Sequence, residues 1–344
     1  MGYMRPALPV IAKVPEKNKV PGVCYALTDE GVELPVIDMT NPAFTESAGP
    51  EKVAALAADF AHFQKLPAFV RGLFNRRSIA MRGLSDGSAT FLGGMTTYVA
   101  KLGPGVLGRG YSGAVDRRIA AAIGSVAFRI RLQDMARLLA DELAPALTAR
   151  EGAPVRMLNI GGGPAMDSLN ALILIRKEHH ELLAHRPVAV TVLDVDKAGP
   201  AFGSRAVAAL CSEGAPLHGL DVNFEHVTYD WTKASELLES LRRLGPDDVA
   251  IGSSEGGLFE YGSDEIIAEN LRVLRQDTPQ DFAMVGSILR DDEIPRWIQA
   301  TSRFPLHTFK LADFTALVRG SGWDVQRVTE VNPIQQVVSL KKAR

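Results

Sequence analysis

An apolar run, Val155 to Ile160, breaks into Gly161-Gly162-Gly163-Pro164-Ala165, and a second run, Val188 to Leu193, ends at Asp194. A strand, a glycine turn, a helical stretch and a second strand tipped by an acid leave little freedom of topology. The two strands must run parallel with the helix crossing between them. Glycines let the backbone approach a ligand closely, and the helix that follows offers free N–H groups. A carboxylate at the next strand's tip can accept both hydroxyls of a ribose. The stretch therefore reads as half of a nucleoside-binding site.

The same alternation continues towards the C-terminus. Strands are expected at 155–160, 188–193, 222–228, 248–253 and 282–288, with helices near 165–184, 198–213, 232–244 and 264–276. Such a series makes parallel βαβ units with right-handed crossovers. Two final strand-like runs, Trp323 to Thr329 and Gln336 to Leu340, are separated only by Glu330 to Gln335, which predicts an antiparallel hairpin at the sheet's edge.

The first 150 residues follow another pattern and are expected to form a mainly helical cap, joined by Thr148 to Pro154 to a ligand-binding domain over 151–344. Residues 1 to 40 read as an extended arm with one or two short strands. Val53, Leu56, Ala57, Phe60, Phe63 and Leu66 recur at the helical period until Pro67 interrupts them. Glycines punctuate 83–113, where Tyr98, Arg109 and Tyr111 are candidates to close over a ligand, and Val115 to Leu147 predicts one or two amphipathic helices.

Composition narrows the class of partner. The 38 basic and 40 acidic side chains give a formal charge of −2, which supplies no field to hold nucleic acid or an anionic membrane. Cys24 and Cys211 are far apart in sequence, which argues against a disulfide. The first residues lack a signal peptide's apolar core and no run is long enough to span a bilayer, so the expected setting is the cytoplasm and the expected partner a small molecule. Two copies joined by exchanged N-terminal arms would form a homodimer.

The glycine-to-acid spacing bears on which nucleoside binds. A dinucleotide site requires Gly-x-Gly-x-x-Gly and an acid about 20 residues further on. Here Asp194 lies 31 residues beyond Gly163 and the last glycine is missing, which disfavours an NAD-dependent dehydrogenase. The succession of strand, glycine loop, two strands ending in acids, and terminal hairpin instead resembles the Rossmann-like S-adenosylmethionine-dependent methyltransferases. The resemblance covers about residues 150 to 344 and implies a seven-stranded, mostly parallel α/β sheet with a C-terminal antiparallel hairpin.

The resemblance also implies roles. Asn159, Gly161, Gly162 and Gly163 would meet the methionine end of S-adenosylmethionine, although Asn159 stands where the family has an acid and Ala165 where it has a third glycine. Asp194 would take the ribose, Asp196 would stand behind it or cap a helix, and Asp230 with Trp231 would meet the adenine. Taken on its own, Asp230 reads as a helix N-cap. Ser253 belongs to the same expected cofactor set.

The loop after the fourth strand, Gly252 to Glu265, forms the acceptor side in that family. Glu255 and Glu260 are the expected catalytic acids, placed to clamp a cationic nitrogen and take its proton, with Tyr111 as a third candidate. Asp264 and Glu265 read as helix-capping acids. His179 and His180 read as surface residues, His226 as structural, and His307 remains a candidate base. No pair of residues has metal-ligand spacing, and no metal is expected. The functional expectation is methyl transfer to a nitrogen or oxygen of a small metabolite. The alternatives are a dehydrogenase, or a nucleoside sensor that keeps the fold without the chemistry.

Overall fold

The computed structural model describes residues 13–47, 49–66, 92–107, 113–302 and 304–344. Tyr111 and Arg109 lie outside the described residues.

The central sheet is built from β3 (Val155–Ile160), β4 (Pro187–Leu193), β5 (Asp221–Val227), β6 (Val249–Ser254), β7 (Ala283–Arg290), β9 (Trp323–Val328) and β10 (Gln335–Lys342). Their order is β5-β4-β3-β6-β7-β10-β9, with a two-residue strand, β8 (Thr308–Phe309), paired to the end of β7. The strands from β5 to β7 pair in parallel, whereas β10 is antiparallel to both β7 and β9. The expected seven-strand path with its terminal hairpin is therefore present, and β8 is added to it.

Alternation along the strands explains why both faces are covered. Val155 and Met157, Val249 and Ile251, and Ala283 and Val285 belong to one hydrophobic cluster, while Leu158 and Ile160, Ala250, and Met284 and Ile288 belong to another. Successive side chains point to opposite faces, so strands with apolar residues on both faces need a helical layer on each side. One layer holds α4 (Ile123–Ala149), α5 (Met166–Glu178) and α6 (Ala198–Leu210); the other holds α7 (Leu237–Leu241), α9 (Asp264–Asp277) and α11 (Leu311–Gly320).

Three further helices precede α4: α1 (Pro50–Lys65), α2 (Gly94–Lys101) and α3 (Ala114–Ala120). Helix α8 (Leu258–Tyr261) and α10 (Glu293–Thr301) complete the set among the described residues.

Position 150 divides the sequence but not the core. Ala26, Leu34 and Val36 from the arm, Tyr98 from α2 and Leu132 to Leu147 from α4 share one cluster with β3, β4 and β6. The arm carries a short antiparallel hairpin, β1 (Tyr25–Leu27) with β2 (Glu33–Pro35). Asn170 of α5 fastens its continuation, accepting from the Met39 amide at 2.6 Å and donating to the Ile37 carbonyl at 3.0 Å. Helix α4, expected to be amphipathic, is buried along most of its length because it lies against α5 and the β6–β7–β10 region of the sheet.

Candidate functional site

The order in which strands join the sheet reverses between the parallel neighbours β3 and β6, since β4 and β5 lie on one side of β3 and β6 and β7 on the other. Loops leaving such a switch point diverge and open a crevice beyond the strands' C-terminal ends. A cleft is found there, walled by Gly161 to Gly163, Asp194, Trp231, Glu255 and Gly256, with Gly94, Thr97 and Lys101 of α2 along another side and Leu92 and Tyr261 adjoining.

The glycine loop is shaped from below as much as from the cleft. Gly161 and Gly163 have φ of 65° and 54°, in the left-handed region where glycine is unstrained. A Cβ at Gly161 would stand 2.5 Å from the Trp231 ring, and one at Gly162 would overlap the Asn159 side chain. Gly163 packs closely against the backbone of Gly94, so α2 rests directly on the loop. Ala165, at the N-cap of α5, also has a left-handed φ of 54°, the conformation in which a third glycine would be free of strain.

Asn159 does not reach the cleft. It is fully buried and its Nδ2 contacts Asp167 Oδ1 at 2.7 Å, Ser253 Oγ at 2.9 Å and Ser168 Oγ at 3.2 Å. The role expected for Asn159 at a cofactor's amino-acid end is thus replaced by support of the loop from beneath, and Ser253 belongs to the same buried network. Asn159 Oδ1 and Asp167 Oδ2 make no hydrogen bond within the described residues. Burial, aided by the nearby charge of Glu255, pushes the Asp167 carboxyl up to about 6.

Asp194 is held by the main chain at the tip of β4. Its Oδ2 accepts from the Gly163 amide at 3.0 Å and its Oδ1 from the Asp196 amide at 2.8 Å. Burial raises its pKa to about 6, against the opposing effect of those two amides. Asp196 caps α6, accepting from Ala198 and Gly199 at 3.2 and 3.3 Å, and it also takes the Gly94 amide at 3.1 Å. Beside them, His226 Nε2 donates to the Asp194 carbonyl at 2.9 Å, a structural use of that ring.

Trp231 lines the cleft, but Asp230 does not. Asp230 Oδ1 accepts from the amide and hydroxyl of Thr232 at 3.0 and 2.8 Å, so its carboxylate closes a local turn. The α-helix begins later than expected, at Leu237, after a 3₁₀ turn over Ala234–Glu236. Asp230 thus spends one carboxylate oxygen on a local turn and stands outside the lining of the cleft.

Glu255 and Glu260 come together at the end of β6, and two cations already hold them. Lys101 Nζ lies 2.5 Å from Glu255 Oε2, while Arg131 Nε lies 3.0 Å from Glu255 Oε1. The Arg131 Nη1 meets Glu260 at 3.1 and 3.3 Å, and the Ser287 hydroxyl donates to Glu260 at 2.6 Å. All four charged side chains are at most 5% exposed. Burial lowers the Lys101 pKa and raises that of Glu260, despite the opposite charges beside them. A substrate cation was expected at these carboxylates, and the protein's own lysine and arginine occupy that position.

Other candidates serve packing. Tyr98 is fully buried with its hydroxyl on the Pro35 carbonyl, too deep to cover a ligand. His307 donates from Nδ1 to the Gly262 carbonyl at 3.2 Å and stacks on Phe309, which leaves it a structural ring. Ser263 caps α9, with Asp264 and Glu265 in its first turn. Lys101, Arg131 and Asp167 were missed; the one available hint was an arginine set within the apolar series Ile130-Arg131-Leu132 of a long helix.

No protein-family model and no curated protein matches the sequence. Among solved structures, a possible exported protein from Bordetella parapertussis aligns over 87% of this chain and 100% of its own, at 15% identity and a TM-score of 0.52. The magnesium protoporphyrin IX methyltransferase of Synechocystis PCC 6803 with bound S-adenosylhomocysteine aligns over 64% of this chain and 87% of its own, at 11% identity and TM-score 0.41. The 1,6-didemethyltoxoflavin-N1-methyltransferase of Burkholderia thailandensis aligns over 59% of this chain and 79% of its own, at 13% identity and TM-score 0.36. The strand order, parallel except for the inserted last strand, is that of a Rossmann-like α/β fold. These likenesses concern the fold, and function rests on the site.

Proposed function

We propose that the protein is an S-adenosylmethionine-dependent methyltransferase acting in the cytoplasm on a nitrogen or oxygen of a small metabolite. The observation that carries the reading is the cleft at the switch point, where the glycine loop, the Asp194 carboxylate and the Trp231 ring converge. Gly161 to Gly163 offer main chain to the amino-acid end, Asp194 offers acceptors to the ribose, and Trp231 offers an aromatic face to the adenine. The buried, unpartnered Asn159 and Asp167 oxygens beneath the loop add negative potential where the amino-acid end would lie.

When bound, the cofactor supplies a methyl group on a positively charged sulfur, open to in-line attack. The chain's own part is positioning and exclusion of water. Helix α2 and Trp231 close the cleft from two sides, while the Lys101–Glu255–Arg131–Glu260 group fixes the wall formed by the loop after β6. Calorimetric titration with S-adenosylhomocysteine is the direct test, followed by incubation of the protein, S-adenosylmethionine and a metabolite extract with mass spectrometry for a product 14 Da heavier than its precursor. Absence of S-adenosylhomocysteine binding would overturn the reading. Binding without any product from amines, phenols or carboxylates would favour a sensor.

A further inference from the structure

The charge arrangement at the β6 side of the cleft defines the class of acceptor. Each of the four carboxylate oxygens of Glu255 and Glu260 already faces a cation, so an incoming ammonium or guanidinium would meet no carboxylate free of a partner. The unused polarity belongs to a donor. An ammonium carries three N–H groups, and among the described residues the one hydrogen-bond partner of Lys101 is Glu255. The Lys101 side chain is 4% exposed, which leaves bulk water little access to its other two donors, and the residue lines the cleft. Buried donors without acceptors are costly, and a ligand oxygen in the cleft would satisfy them.

We propose that Lys101 holds an oxyanion of the methyl acceptor, a phenolate or carboxylate, so that the site methylates oxygen. The proposal rests on the methyltransferase reading and narrows it. The acceptor oxygen supplies the electron pair of the new C–O bond, and the C–S bond breaks with its pair going to sulfur. The negative charge on oxygen and the positive charge on sulfur vanish together. No proton has to move, so the site needs no free base, in keeping with neither His226 nor His307 lining the cleft. Glu255 acts as a positioning residue that fixes the ammonium from behind.

The test is binding to the full chain saturated with S-adenosylhomocysteine, using benzoate, 4-nitrophenolate and benzylammonium as probes. Both anions are expected to bind at least tenfold more tightly than benzylammonium, and the bound 4-nitrophenolate should keep its anion absorbance near neutral pH. In Lys101→Met, and in Lys101→Met/Glu255→Gln, which removes both charges of the pair, anion affinity should fall at least tenfold while S-adenosylhomocysteine affinity stays within twofold. Equal or tighter binding of benzylammonium by the wild-type protein would overturn the proposal without any variant, as would failure of both anions to bind. So would anion affinity unchanged by the substitutions. A loss of S-adenosylhomocysteine affinity in Lys101→Met, with that of 5′-methylthioadenosine unchanged, would show Lys101 on the cofactor's own carboxylate. If S-adenosylhomocysteine fails to bind the wild-type protein, the underlying methyltransferase reading falls first.

Discussion

Asp194 and Gly163 join two strand tips of the cleft, the carboxylate Oδ2 accepting the glycine amide at 3.0 Å across 31 residues of sequence. The bond ties the end of β4 to the loop after β3, so the group proposed to meet the ribose also sets the shape of the glycine turn. Asp194→Ala should weaken S-adenosylhomocysteine binding more than tenfold, matching the roughly 1.5–3 kcal/mol of hydrogen bonds to a charged group. With a pKa near 6, the Asp194 carboxylate takes up a proton as the pH falls through 6, and ligand affinity should decline there. Calorimetry between pH 5 and 8 checks this, and Asp194→Asn should remove that pH dependence.

Asp167 carries a stability prediction whose sign follows from burial. Its folded pKa of about 6 lies above the ordinary 3.8, so the native state binds the proton more tightly than the unfolded chain. Its contribution is most favourable at about pH 4 and is lost as the pH rises towards and past 6, by up to about 3 kcal/mol. Asp167→Asn should therefore raise the melting temperature at pH 7.5 and have little effect near pH 4.5. Thermal unfolding at the two pH values measures it; equal shifts at both would contradict the assignment.

Arg131 holds two buried carboxylates at once. Among the described residues, Arg131→Met leaves Glu260 the Ser287 hydroxyl and Glu255 the Lys101 ammonium, a loss of about 3–5 kcal/mol by the usual cost of breaking a buried pair. Urea denaturation should show a lowered midpoint with an unchanged slope. Adding Glu260→Gln should recover part of the loss.

Gly162 has no room for a side chain because the Asn159 amide fills the space beneath it. Gly162→Ala should cost about 1–3 kcal/mol, as overpacking does. Asn159→Ala in the same chain should restore stability beyond the sum of the two single changes, a coupling that a double-mutant cycle reads directly.

Much of the sheet was legible because its signals are local. Val155–Ile160 and Pro187–Leu193 are mostly apolar runs bounded by glycine or an acid, and the short span between β9 and β10 permits only a hairpin. The charged group was not legible. Lys101 and Glu255 are 154 residues apart and Arg131 and Glu255 are 124 apart, so nothing in either neighbourhood announces the partner. The N-cap reading of Asp230 fails because its carboxylate closes a turn with Thr232, and the helix starts only at Leu237. Helix α4 has apolar residues around most of its circumference, which fits a layer pressed between sheet and helix better than a cover exposed to water.

The buried quartet has a consequence for how this chain can be divided. Its two cations come from α2 and α4, and its two anions follow β6, so a fragment beginning near residue 150 would keep both negative charges and neither positive one. Neutrality inside that wall is a property of the uncut polypeptide, and exchanging the first 150 residues for another leader would require Glu255 and Glu260 to change with them.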